Sequence, residues 1–272
     1  MEKYDIIVLG GQSNAEGYGV GPVSEEYVPD ERILWLNDNA NPRFEKDENN
    51  KDVFKMDTAT ESTITVADEP IGKDGKVGKL AFLFSKGYIQ SGLLKEGRKI
   101  LILNAAVGGT GFRDNQWGLE RGLYKRLKRM TKAALQQNPD NRIVAFLWHQ
   151  GECDSFENAE WSVEQKYKTH KKNLGEMFDD FTDAFNCKHV PIISAGFCDE
   201  WYLKYKTPCD AVLKAIQEVV EERNGCFVET AGLKSNNEEC GNGDDIHFSR
   251  ESAHILGKKM FEVFSVLQKN II

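Results

Sequence analysis

Apolar and polar positions along the chain fall into two alternating regimes. Short apolar, β-branched runs occur at Tyr4–Leu9, Ile33–Leu36, Lys99–Val107, Ile143–Trp148 and Val190–Gly196. Their length and residue types predict strands. Cys226–Thr230 predicts a sixth strand or an edge pairing. Segments 80–89, 119–136, 163–185, 210–222 and 251–267 instead carry apolar residues three and four apart, the one-sided spacing of packed helices. Near-continuous apolar strands alternating with helices predict a parallel sheet covered on both faces. The expected fold class is α/β, a three-layer α/β/α sandwich with a flavodoxin-like central sheet. Its active site is expected at the carboxyl ends of the strands.

One region departs from this pattern. Residues 37–76 are rich in Asp, Asn, Glu and Lys and have no sustained apolar period. Structureless loops of such length are rare inside a compact domain. The segment therefore reads as a polar insertion near the site, with a short hairpin around Ser62–Val66. With no Pro- or Ser-rich linker to divide it, the whole chain, 1–272, is expected to form one domain.

Composition narrows the function classes. The chain is 40% hydrophobic and 29% charged, ordinary for a soluble globular protein, with a net charge of −8 and no basic block. Nucleic acid and anionic membrane surfaces are thus not expected partners. No stretch approaches the roughly 20 apolar residues of a membrane span. The opening MEKYDIIVLGGQSN lacks a signal-peptide layout, which points to the cytoplasm, or to secretion if a leader has been trimmed. The six cysteines form no C-x-x-C pair and no zinc-type cluster, so free, mostly buried thiols are expected. Secretion would shift that expectation towards disulfides.

Candidate chemistry collects at predicted strand ends. Gly10-Gly11-Gln12-Ser13-Asn14-Ala15-Glu16-Gly17 follows the first strand. Its glycines allow a sharp turn from which Ser13 projects towards solvent as a nucleophile; a helix N-cap or a phosphate loop is the alternative. The loop lacks both the P-loop and the dinucleotide spacing. Asn104-Ala105-Ala106-Val107-Gly108-Gly109-Thr110-Gly111 follows the third strand, and its paired glycines suit an oxyanion site or an ordinary tight turn equally. Trp148-His149-Gln150-Gly151-Glu152-Cys153-Asp154 follows the fourth. So dense a polar cluster after a buried strand implies a site or a satisfied hydrogen-bond network. Gly243-Asp244-Asp245-Ile246-His247-Phe248-Ser249 precedes the last helix. A serine needs a base to take its proton, and a carboxylate three residues before a histidine can orient that base. His149 and His247 lie in glycine- and acid-rich turns, whereas His170 and His254 fall on helical stretches, where packing or surface roles are expected.

These four blocks, in this order, resemble the SGNH hydrolases. More closely they resemble the branch containing acetylxylan esterases and sialic-acid O-acetylesterases, whose first block reads GQSN rather than GDSL. The likeness runs from Ile6 to Phe248. It implies Ser13 as nucleophile and first oxyanion donor, with Gly108 favoured over Gly109 as the second. Gln150 would be the third donor, where the wider group uses asparagine. It further implies His247 as base and Asp244, rather than the adjacent Asp245, as the orienting acid.

The implied activity is removal of O-acetyl groups from carbohydrates, of xylan or sialic-acid type, through an acyl-enzyme and with no metal or cofactor. Arg113, Trp117, Glu152 and the 37–76 insertion are the candidates for sugar contact. A lipid or small-ester hydrolase of the wider group would instead need an apolar acyl channel. A carbohydrate-binding homologue without catalysis would not need all the catalytic positions filled, as they are here.

Overall fold

In a computed structural model of the chain, residues 2–69, 76–114, 116–156 and 161–269 are described. In chain order the elements are β1 (Lys3–Gly11), α1 (Ser13–Glu16), β2 (Ile33–Asp38), β3 (Arg43–Lys46), β4 (Asp52–Lys55), β5 (Ser62–Val66), α2 (Leu80–Gln90), β6 (Arg98–Asn104) and α3 (Gly122–Gln136). They continue as β7 (Arg142–His149), α4 (Glu152–Ser155), α5 (Val163–Ala184), β8 (Ile192–Ala195), α6 (Asp199–Lys204), α7 (Lys206–Glu221), β9 (Cys226–Val228), α8 (Asn236–Cys240) and α9 (Arg250–Lys269). Seven strands form one sheet in the order β5-β2-β6-β1-β7-β8-β9, and helices flank it, α2 packing with α9 and α5 with α7. All pairings in the sheet are parallel except β5 on β2.

The apolar runs become strands because burial on both faces suits them. Ile6, Ile7, Val8 and Leu9 of β1 are all fully buried, each contributing on the order of 1.5–3 kcal/mol. At the amino end of the sheet the buried Asp5 accepts from Arg98 Nε at 2.8 Å, Arg142 Nε at 2.7 Å and Tyr88 OH at 2.9 Å. That carboxylate pins β1, β6 and β7 together, at the end of the sheet opposite the four motifs.

The insertion departs from its expected form. Ser62–Val66 is no hairpin; it is the antiparallel edge strand β5, paired from Leu34↔Val66 to Asp38↔Ser62. The hairpin lies earlier, as β3 and β4 in a separate two-stranded sheet. Positions 70–75 of the insertion lie outside the described residues. The third predicted strand also ends sooner, at Asn104. Beyond it only single bonds to β1 persist, from Ala105 N–H to Leu9 O and from Val107 N–H to Gly11 O, both 3.0 Å. Among the described residues no helix is long and apolar enough to cross a membrane.

Register decides where the chemistry lands. β1 pairs in parallel with β6, ending at Leu9↔Asn104, and with β7, ending at Gly11↔His149. The three motifs that follow these strands therefore emerge side by side at the carboxyl edge.

Candidate active site

The turn from Gly10 to Ser13 needs its glycines. A Cβ on Gly10 would sit 2.9 Å from Trp148 Cε3, and one on Gly11, at φ +129°, only 2.0 Å from His149 O. Gln12 N–H then donates to His149 O at 2.9 Å, and Gln12 Oε1 accepts from Cys153 N–H at 3.2 Å. These bonds tie the turn to the block after β7. Ser13 opens α1, but it does not project into solvent as the turn predicted. It is 3% exposed, and its Oγ lies 2.8 Å from His247 Nε2.

His247 reaches Ser13 from a loop held by α8. Ser235 caps that short helix in a capping box with Glu238. Asn236 N–H then donates to His247 O at 2.8 Å, and Asn237 N–H to Asp244 O at 2.9 Å. His247 Nδ1 lies 2.8 Å from Asp244 Oδ1 and 2.9 Å from Oδ2. Asn236 Nδ2 donates to the same Oδ2 at 2.9 Å. Burial alone would raise the Asp244 pKa, but the hydrogen bonds from His247 and Asn236 outweigh it and bring the pKa down to about 2. Asp245 instead turns outward to Lys204. The Tyr18 ring lies 4.9 Å from that of His247.

The expected oxyanion donors divide. Ser13 N–H and Gly109 N–H have no hydrogen-bond acceptor among the described residues, whereas Gly108 N–H donates to Glu16 Oε2 at 2.6 Å. The preference for Gly108 over Gly109 therefore meets a carboxylate already in place. Gln150 is buried, and its Nε2 faces Asp154 Oδ2 at 3.0 Å, with Thr110 O and Gln12 Oε1 both at 3.3 Å. Asp154 also accepts Phe112 N–H at 3.1 Å and Arg113 N–H at 2.8 Å, and lies 3.1 Å from His170 Nδ1. Burial would raise its pKa, yet these partners leave it lowered. Asp154 thus draws the loop after β6 against Gln150.

Two expected sugar contacts are corrected. Trp117 is fully buried and donates from Nε1 to Thr110 Oγ1 at 2.9 Å, leaving no face for a sugar. Glu152 is also fully buried; its Oε1 accepts from Asn14 Nδ2 at 2.5 Å and lies 3.4 Å from His149 Nδ1. Arg113 remains partly exposed, with its guanidinium against Asp114. The insertion does approach the site, since a Cβ on Gly109 would lie 3.2 Å from the exposed Phe44 of β3. Phe44 and Phe54 line a cleft of about 720 Å³ with Gln116 and Arg121, within the range of about 300–1,000 Å³ usual for small-ligand sites.

Several neighbours of these groups take roles that the four motifs do not mark. Asn14 and Asn236 each bridge two elements, and the S-x-x-E spacing of Ser235 and Glu238 was the available signal for the second. Burial raises the Glu16 pKa, and burial lowers that of Lys79 to about 8. Four of the free cysteines are buried, while Cys226 is half-buried and Cys240 exposed. Among the described residues no group of three or more His, Cys, Asp and Glu side chains could hold a metal ion.

A mostly parallel seven-stranded sheet flanked by helices, with these motifs at its carboxyl edge, is the α/β architecture the sequence predicts. The chain belongs to the carbohydrate esterase, sialic acid-specific acetylesterase family, which it matches over residues 3–266. It is 28% identical over 99 residues to a probable 9-O-acetyl-N-acetylneuraminic acid deacetylase of Escherichia coli (strain K12). The match covers 34% of this chain and only 28% of that relative's own length. Its fold is similar to that of the crystal structure of NanS, with a TM-score of 0.74 at 19% identity, covering 99% of this chain and 98% of the other. A carbohydrate acetylesterase from Xanthomonas citri is also similar, with a TM-score of 0.62 at 15% identity over 98% of this chain and 57% of that one.

Proposed function

We propose that the protein hydrolyses O-acetyl esters of carbohydrates through a Ser13–His247–Asp244 acyl-transfer mechanism, with the sialic-acid type of substrate favoured by the family over the xylan type. The observation that carries this reading is the unbroken chain from Ser13 Oγ to His247 Nε2 at 2.8 Å and from His247 Nδ1 to Asp244 at 2.8 Å. The Asp244 carboxylate accepts only, so Nδ1 carries the hydrogen and Nε2 is left bare to take the serine proton.

Ser13 Oγ attacks the acetyl carbonyl carbon as its proton passes to Nε2. The carbonyl oxygen becomes an oxyanion, received by the free N–H groups of Ser13 and Gly109. Gln150 adds a third donor by giving up one of its two long contacts, since catalytic hydrogen bonds often tighten only once substrate is bound. Collapse breaks the bond to the sugar oxygen, which leaves as a hydroxyl with the proton from His247. Water, deprotonated by His247, then attacks the acetyl-serine and releases acetate and the free serine.

The sugar lies towards the cleft beside Gly109, with Phe44 offering an apolar face and Arg113 and Arg121 polar contacts. A panel of acetylated sialic acids, acetylated xylo-oligosaccharides and simple acetyl esters, followed by released acetate, tests the reading. Acetate from none of the acetylated sugars would refute it.

A further inference from the structure

We propose that Asn14 is a positioning residue for the base, its carboxamide held in one orientation by the buried Glu152 so that His247 lines up on Ser13. This rests on the acyl-transfer reading above. Ser13 and His247 are 234 positions apart in sequence and meet from separate elements. Asn14, the residue after the nucleophile, grips the backbone on both sides of the base. Its Oδ1 accepts Phe248 N–H at 3.0 Å, and its Nδ2 donates to Ile246 O at 3.2 Å. Asn236 ties down the Asp244 end of the same loop, so Asn14 serves the His247 end.

Glu152 explains why the amide cannot turn over. Its carboxylate accepts from Asn14 Nδ2 at 2.5 Å. A flipped amide would set Oδ1 against two acceptors, Glu152 and Ile246 O, and Nδ2 against the Phe248 donor. Glu152 is fully buried, and its Oε2 has no partner. A half-paired buried carboxylate is costly, so its presence calls for an explanation that packing does not supply. His149 supports the same point from the far side. Its Nε2 donates to Gly196 O at 2.9 Å, while its ring packs edge-on against Phe248 with centroids 5.6 Å apart.

The test compares Asn14→Ala, Glu152→Leu and Glu152→Gln for kcat, KM, melting temperature and the rate of Ser13 phosphonylation by a small organophosphonate. Displacing a reacting group by an ångström costs up to about a hundredfold in rate. Asn14→Ala and Glu152→Leu are expected to lower kcat and the phosphonylation rate together, by about ten- to a hundredfold, with KM changed less than about threefold. The double variant is expected to be no worse than either single one. Glu152→Gln, which keeps an oxygen for Asn14, is expected to stay within about threefold of the parent protein. Wild-type kcat per folded molecule in Glu152→Leu would overturn the proposal even if Asn14→Ala fails to fold. A Glu152→Gln variant as slow as Glu152→Leu would overturn it as well. Loss of the acyl-transfer reading itself would register separately, as full turnover in Ser13→Ala.

Discussion

Replacing Asp244 by Asn changes one charge and almost no volume, and the surroundings leave the new amide nowhere to fit. Its nitrogen at the Oδ2 position would face the Asn236 amide donor at 2.9 Å; at the Oδ1 position it would face His247 N–H at 3.3 Å. Either orientation also sets an N–H against the His247 Nδ1 edge, 2.8–2.9 Å away. The carboxylate gains from these donors, and its pKa is accordingly depressed from 3.8 to about 2. That shift corresponds to at most about 2.5 kcal/mol, which solvent screening of the partly exposed carboxylate reduces to about 1–2 kcal/mol, or roughly five- to thirtyfold. Loss of the correct imidazole tautomer adds to this and has cost as much as about 10⁴-fold in a serine triad. Asp244→Asn is therefore expected to lower kcat on an acetyl ester by about 10²- to 10⁴-fold, while Asp245→Asn, at the surface beside Lys204, stays within about threefold. The sign of the pH effect follows. A depressed carboxylate stabilises the fold above its unfolded pKa, and that contribution is lost as pH falls from about 4 through about 2. Parent and Asp244→Asn stabilities should differ near neutrality and converge at the acid end. Turnover per folded molecule, with a melting curve at each pH, decides the matter. A tenth of parental turnover in Asp244→Asn, or greater damage from Asp245→Asn, would show that Asp244 does not orient His247.

Three further outcomes are expected. Gln150→Ala should lower kcat by about 10²- to 10³-fold with little change in KM if its amide serves the oxyanion; a lower melting temperature with kcat intact would instead confine it to the Asp154 network. Phe44→Ala should raise KM for acetylated oligosaccharides about three- to tenfold and leave a small activated acetyl ester unaffected, as loss of one aromatic contact implies; equal effects on both substrates would remove the cleft from sugar binding. An aromatic disulfide reagent should label Cys240 first and Cys226 more slowly. Cys187 and Cys209 should resist until unfolding, since burial pushes their thiols up to about 11 and about 12; rapid labelling of four or more thiols in the folded protein would contradict the core packing.

The sheet was legible because strands such as Ile6–Leu9 are buried on both faces and leave an uninterrupted apolar run. β5 carries no such run. Ser62–Val66 is an edge strand with mostly exposed residues, so pairing with β2, rather than burial, creates it. The grouping of Ser13, His247 and Asp244 was legible because each stands in a glycine- or acid-rich turn, the serine after β1 and the other two before α9. The wrong sugar contacts share one cause. Residue type alone marks Trp117 and Glu152 as useful to a ligand, but only tertiary packing reveals that one is a core aromatic bonded to Thr110 and the other a buried acceptor for Asn14. The Glu16 carboxylate on Gly108 N–H was equally hidden, since 92 positions separate the partners.

The proposed mechanism requires that Ser13 form an acetyl-enzyme on an O-acetylated sugar. The direct measurement is acetate release from an O-acetylated sialic acid by the parent protein and by Ser13→Ala, each checked for an unchanged fold. Intact-protein mass after rapid acid quench supplies the second half of the result. The parent should release acetate, with a transient gain of one acetyl group that maps to Ser13. Ser13→Ala should show no acetylation and be slower by at least about a thousandfold, the size of effect single triad members carry. A folded Ser13→Ala protein that retains a tenth of the parental rate would contradict it.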